Sequence, residues 1–187
     1  MLKSFKTKDF IVVALLAAAY IVMDLVFAAA VSSLTGIPLA TAFVTGIIAG
    51  FFMLITIKLI PKFGSLTLLR TILAVLELPT SLGGAPGFWP KIIINALSGF
   101  LGDLWMKYTG YSKRWNLFIG FYIIAAVNLL TFVFFLVYMG IPNANKILGM
   151  VYYLIPTYWI LGTAGILIGL GVWNKIKNKK IVLQLKG

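Results

Sequence analysis

Four carboxylates, no histidine and no cysteine are the stock from which this 187-residue chain could build covalent or metal chemistry. Asp9, Asp24, Glu77 and Asp103 do not make a metal cluster of ordinary ligand spacing, and neither a Cys-His nor a Ser-His nucleophile can be assembled. Intramembrane proteolysis and lipid head-group transfer need acid pairs, metal or histidine, so no enzymatic activity and no cofactor are expected. What remains is suited to recognition. Asp24 sits inside one apolar run, and Arg70 and Glu77 lie seven residues apart on another, hence on one helix face. Lys91, Asn95, Ser98, Gly99, Gly102 and Asp103 recur at i, i+4, i+7, i+8, i+11 and i+12, a polar and small-residue stripe along a third. Charges at such positions are costly and mark binding sites, transport paths or buried pairs.

The elements that must carry these residues are apolar runs at 10–32, 40–60, 66–79, 90–107, 116–139 and 148–174. With 61% hydrophobic residues and a mean hydropathy of +1.05, a domain of this size needs lipid to cover its apolar surface. The runs show no period-two alternation, and in lipid only helices and closed barrels satisfy the backbone. The expected fold is all-α: an integral membrane bundle of six transmembrane helices, one domain over residues 1–187. The first run is longer than a signal-peptide core and lacks a small-residue cleavage site, so it counts as a span.

Sixteen Lys and Arg oppose four acids, and the excess falls in alternate gaps between the runs. Lys3, Lys6, Lys8, Lys58, Lys62, Lys107, Lys113, Arg114, Lys175, Lys177, Lys179, Lys180 and Lys186 belong to one side, with Asp9 just outside the first span. Lys91 and Lys146 belong to the other. The positive-inside rule then places both termini in the cytoplasm and the chain in the cell membrane as a multi-pass protein. The cations sit on loops where head groups of the lipid bilayer neutralise them, and they form no recognition helix, so nucleic acid is not an expected partner.

The third run breaks at Pro79 and leads into Thr80-Ser81-Leu82-Gly83-Gly84-Ala85-Pro86-Gly87-Phe88-Trp89-Pro90, a structured loop on the outer side. The antiparallel third and fourth spans bring Arg70 to the depth of Asp103 and Glu77 to that of Lys91. Two ion pairs are expected there, and for Glu77 and Lys91 a ligand-binding role stands beside the structural one. Asp24 has no partner in sequence; a pocket-lining role is favoured over a helix–helix contact. Trp89, Tyr152, Tyr153, Tyr158 and Trp159 gather at the same outer level, where single rings also serve as interfacial anchors. With the amides of Asn95, Asn128, Asn143 and Asn145 they outline an outward cavity for a flat heteroaromatic or amphipathic small molecule.

On the first span, Ala14-x-x-x-Ala18 forms a smooth strip about 100° around the helix from Asp24. Gly165-x-x-x-Gly169 is a second such step. The basic arm Lys6-Thr7-Lys8-Asp9-Phe10, Ala14-x-x-x-Ala18 and the Gly102-Asp103-Leu104 end of the fourth span, with the size and six spans, resemble the substrate-binding (S) components of energy-coupling factor vitamin transporters. The resemblance covers essentially the full chain. It implies docking through the alanine strip on a membrane-embedded coupling subunit driven by two cytoplasmic ATPases, with a vitamin-like micronutrient captured outside and released inside by toppling. Glu77 followed by Leu82-Gly83-Gly84-Ala85-Pro86-Gly87 is similar to members that take thiamine or its pyrimidine precursor. An autonomous secondary transporter, with Pro79 and Pro156 as helix breaks, and a ligand-free membrane scaffold are the alternatives.

Overall fold

The computed structural model describes residues 5–35, 41–82, 84–111, 113–140 and 144–186, with only the backbone of 32, 35, 41–43, 144–147, 181 and 186. Lys3, Gly83 and Asn143 lie outside the described residues, as do the side chains of Asn145, Lys146 and Lys186.

Each apolar run becomes one helix: α1 (Thr7–Thr35), α2 (Thr41–Leu59), α3 (Ser65–Glu77), α4 (Pro90–Thr109), α5 (Arg114–Tyr138) and α6 (Ala144–Ile176). A short α7 (Lys180–Lys186), not among the expected elements, follows. No strand occurs among the described residues. The segments Thr7–Val31, Arg114–Tyr138 and Leu148–Ile176 are long and apolar enough to cross a bilayer, and Val44–Leu59 is apolar but shorter. Pro156, read as a break, lies inside the continuous α6. Proline is tolerated in such a helix because surrounding groups can make good the freed backbone.

The first six helices close into a ring: α1 packs on α2, α2 on α6, α6 on α5, α5 on α4, α4 on α3, and α3 returns to α1. Inside it, Leu54, Ile57, Leu66, Leu73, Phe121 and Ile166 are buried in one core. Phe10, Leu15, Val26, Phe134 and Ile160 are exposed on the outside. A soluble protein would pay heavily for such a surface, whereas lipid accepts it.

The α2–α6 seam is set by glycine. A Cβ on Gly50 would overlap the Gly162 carbonyl, and one on Gly165 would overlap the Ile47 carbonyl. Gly169 sits against Leu54 of α2. The Gly165-x-x-x-Gly169 step therefore serves packing within the chain.

At one end of the bundle the charged groups tie separate segments together. Asp9 lies in the first turn of α1 and not outside it. Its Oδ2 accepts from the Lys6 backbone N–H at 2.7 Å and pairs with Lys62 Nζ at 2.5 Å. A carboxylate three residues into a helix, bonded back to the residue before it, satisfies one of the free N–H groups there. Lys8 Nζ donates to the Gln184 carbonyl at 2.8 Å, and the Lys107 ammonium lies 5.3 Å from the Phe63 ring centroid. The N-terminal arm, the α2–α3 turn, the end of α4 and α7 thus share one end, as the charge pattern requires.

At 13 residues, α3 rises only about 20 Å, less than the roughly 30 Å hydrocarbon thickness. The chain between α3 and α4 must therefore satisfy its own polar groups. Gly87 donates to Leu78 O at 2.7 Å, Thr80 N–H to Glu77 O at 2.9 Å, and Phe88 to Ala85 O at 3.1 Å. Gly84 at φ +128° and Gly87 at φ +77° supply the left-handed backbone this fold-back needs.

Candidate functional site

The polar stripe of α4 faces inward as its spacing demands: Lys91, Asn95, Ser98, Gly99, Gly102 and Asp103 are all buried. The expected Arg70–Asp103 ion pair does not form. Asp103 instead caps α3, accepting from Leu66 N–H at 3.2 Å, Thr67 N–H at 2.8 Å and Thr67 Oγ1 at 2.7 Å. The antiparallel hairpin brings the carboxylate to the start of α3, where unpaired N–H groups and the positive end of the helix dipole outcompete a guanidinium a turn further in. Gly99 lets the two backbones approach, since a Cβ there would lie 2.8 Å from Thr67 Cα.

The opposite end of the hairpin mirrors this arrangement. Lys91 Nζ donates to Glu77 O at 3.1 Å and Thr80 O at 2.9 Å, so it meets the backbone of residue 77 and not its carboxylate. No Glu77–Lys91 ion pair is present among the described residues. The carbonyls left over where α3 ends are the reason: they draw the ammonium to the negative end of the helix. Lys91 is only 1% exposed, and these bonds spare it an uncompensated buried charge.

The side chain of Glu77 is left without a hydrogen bond to any described residue, though it is nearly buried. Arg70, Asp24 and Lys91 lie within electrostatic reach of it. Asp24, 1% exposed, accepts from Thr45 Oγ1 at 2.7 Å across the α1–α2 contact. Asn95 Nδ2 donates to Lys91 O at 2.9 Å, and Asn128 Nδ2 reaches Asn95 Oδ1 at 3.5 Å, the limit of a hydrogen bond. The ring thus brings Asp24, Glu77, Lys91, Asn95 and Asn128 toward one interior.

Three expected site residues are not among these. Trp89 is 54% exposed, edge-on to Phe135 with centroids 5.9 Å apart. Tyr152 is 83% exposed on the outside of α6, a position suited to an interfacial anchor. Trp159 packs between α5 and α6, edge-on to Tyr122, with its indole N–H donating to Phe118 O at 3.1 Å. Aromatic spacing alone cannot distinguish an inward from an outward ring.

Sequence reasoning missed Tyr20 and gave Arg70 only a pairing role. Tyr20 is nearly buried and packs on Phe52 with centroids 5.5 Å apart. Arg70 lines a narrow cavity with Tyr20, Ala49, Met53, Phe121 and Ile124, a space for about one water molecule. Tyr20 lies four residues before Asp24, which was the available signal. Phe121, which lines the cavity, stacks on Tyr158 with centroids 6.0 Å apart and planes 13° from parallel.

A helical ring with an apolar exterior and a buried, charged interior defines a multi-pass membrane protein. Residues 7–144, most of the chain, match the Trep_Strep family model, described as a hypothetical bacterial integral membrane protein. The chain belongs to this family and is a multi-pass protein of the bacterial cell membrane. No curated protein and no solved structure matches it.

Proposed function

We propose that this chain is the membrane-embedded substrate-capture subunit of an energy-coupling-factor-type importer, with six spans and both termini in the cytoplasm. It binds a vitamin or related micronutrient at its outward side and releases it inside when docked on a coupling subunit and two ATPases. Thiamine or its pyrimidine precursor is the first substrate class to test. The observation that carries the reading is Glu77: a nearly buried carboxyl with no hydrogen bond among the described residues, held under a loop that Lys91 pins down. A membrane interior rarely keeps such a group without a functional reason.

The docking half of the proposal rests on α1. Ala14 and Ala18 are exposed, while Asp24 on another face of the helix is buried. One helix thereby offers a smooth strip to a partner and a carboxyl to the interior. The scarcity of catalytic side chains supports a role in binding and not in catalysis.

The deciding experiment is the mass of any small molecule released when protein purified from its own membranes is denatured, followed by uptake assays with and without coupling subunits. Release of a vitamin-like compound and coupling-dependent uptake are expected. Uptake by the chain alone in liposomes would favour a secondary transporter. No released molecule and no response to a vitamin panel would leave a scaffold.

A further inference from the structure

Arg70 was expected to neutralise Asp103, and the structure gives that carboxylate to the start of α3. The guanidinium is left lining the internal cavity, with its Nε buried and without a hydrogen-bond partner. A buried N–H with no acceptor is costly, so its retention calls for a reason. Asp24 and Glu77 are not within ion-pair distance of it, and both belong to the same electrostatic neighbourhood as Tyr20 and Tyr158. The interior therefore presents two unlike ends. One is a guanidinium, which binds carboxylates and phosphates through its planar fork. The other holds carboxyl groups, which take ammonium or N–H donors. Arg70 and Glu77 are separated along one face by two helical turns, about 10 Å. Tyr20 and Phe121 supply ring surface beside Arg70.

We infer that Arg70 is a ligand-binding residue and that the molecule taken up is amphoteric, with an acidic or strongly accepting group held at Arg70 and a cationic or N–H-donating group held at Glu77. This rests on the capture reading above and narrows its substrate class. A ligand of that size enters only if the interior widens around the cavity, which holds about one water molecule. Once seated, it supplies the acceptor that Arg70 Nε lacks and the donor that the Glu77 carboxyl lacks.

The test uses three matched probes on the full-length detergent-solubilised protein: 4-(aminomethyl)benzoate with both charged ends, benzoate with only the acid, and benzylamine with only the base. Calorimetric titration is expected to show the two-ended probe binding about tenfold or more tighter than either single-ended one. Arg70→Lys keeps the charge and loses the fork. It should weaken 4-(aminomethyl)benzoate and benzoate by about tenfold or more and leave benzylamine unchanged, with Glu77→Gln doing the reverse. Arg70→Gln extends the series if it folds, and Arg70→Lys carries the test if it does not. Wild-type affinities in Arg70→Lys, a uniform loss for all three probes, or binding of none would overturn the assignment. If none binds yet the denatured wild type releases another small molecule, the substrate class falls and the capture reading stands. If it binds none and releases nothing, both fall.

Discussion

Asp103 of α4 holds the first turn of α3 through the Thr67 backbone N–H at 2.8 Å and the Thr67 hydroxyl at 2.7 Å. A charged residue near the end of one membrane helix thus serves as the cap of its neighbour, and the short α3 is registered against α4 by that contact. Asp103→Ala should lower stability by about 2 kcal/mol, the combined scale of a lost cap and of hydrogen bonds to a charged group. Asp103→Asn, which keeps one acceptor oxygen, should lose less. Thermal unfolding in detergent reads both, and a wild-type melting temperature for Asp103→Ala would refute the cap.

Lys91→Met removes the two bonds that hold Glu77 O and Thr80 O. The backbone around residues 78–89 should then exchange its amide hydrogens about tenfold faster or more, the equivalent of some 1.5–3 kcal/mol for hydrogen bonds from a charged donor. Exchange in α5 and α6 should not change. Equal acceleration across all helices would mean that Lys91 holds the whole bundle and not the loop.

The α2–α6 seam has no room for a methyl group at Gly50 or Gly165, where it would meet backbone carbonyls. Gly50→Ala and Gly165→Ala should each destabilise by about 1–3 kcal/mol through overpacking. Gly149, with open space around its Cβ position, is the control: its alanine variant should melt at or above wild type. Equal melting temperatures for all three variants would contradict the seam.

Ala14 and Ala18 face outward, so replacing both with leucine should leave the melting temperature and ligand affinity unchanged. Under the importer reading it should abolish uptake in membranes that contain the coupling subunits. Full uptake with normal expression would remove the docking role from this strip.

Tyr111 lies in the α4–α5 connection, outside the spans, and its hydroxyl is buried without a partner. Burial, with Asp103 nearby, pushes its pKa up to about 12. The folded state therefore keeps the phenol proton when the unfolded chain has begun to lose it near pH 10. Folding stability is therefore unaffected by its titration below about pH 10 and falls as pH rises toward about 12. Tyr111→Phe should flatten this part of the alkaline stability profile and leave neutral-pH stability equal or higher. An unchanged alkaline profile would place the titration elsewhere.

The helices and the common end of the termini and basic loops were legible because lipid imposes simple rules: long apolar runs must coil, and cations collect on one side. The α4 stripe was legible for the same reason, as its buried face follows from helical spacing. Choice of partner was not. Depth matching brought Arg70 toward Asp103 and Glu77 toward Lys91, but helix ends carry partial charges that no spacing rule counts, and those ends took both Asp103 and Lys91.

The sequence by itself determined an all-helical membrane bundle with a nearly acid-free, histidine-free and cysteine-free chemistry and a few costly interior charges. Only the tertiary structure decided which of those charges are spent on backbone groups and which remain available. That depends on closing the ring of six helices, which buries Glu77 and the Nε of Arg70 and turns Tyr152 outward. A side chain's cost and its use are set by what surrounds it in three dimensions, and spacing along the chain records only which face it occupies.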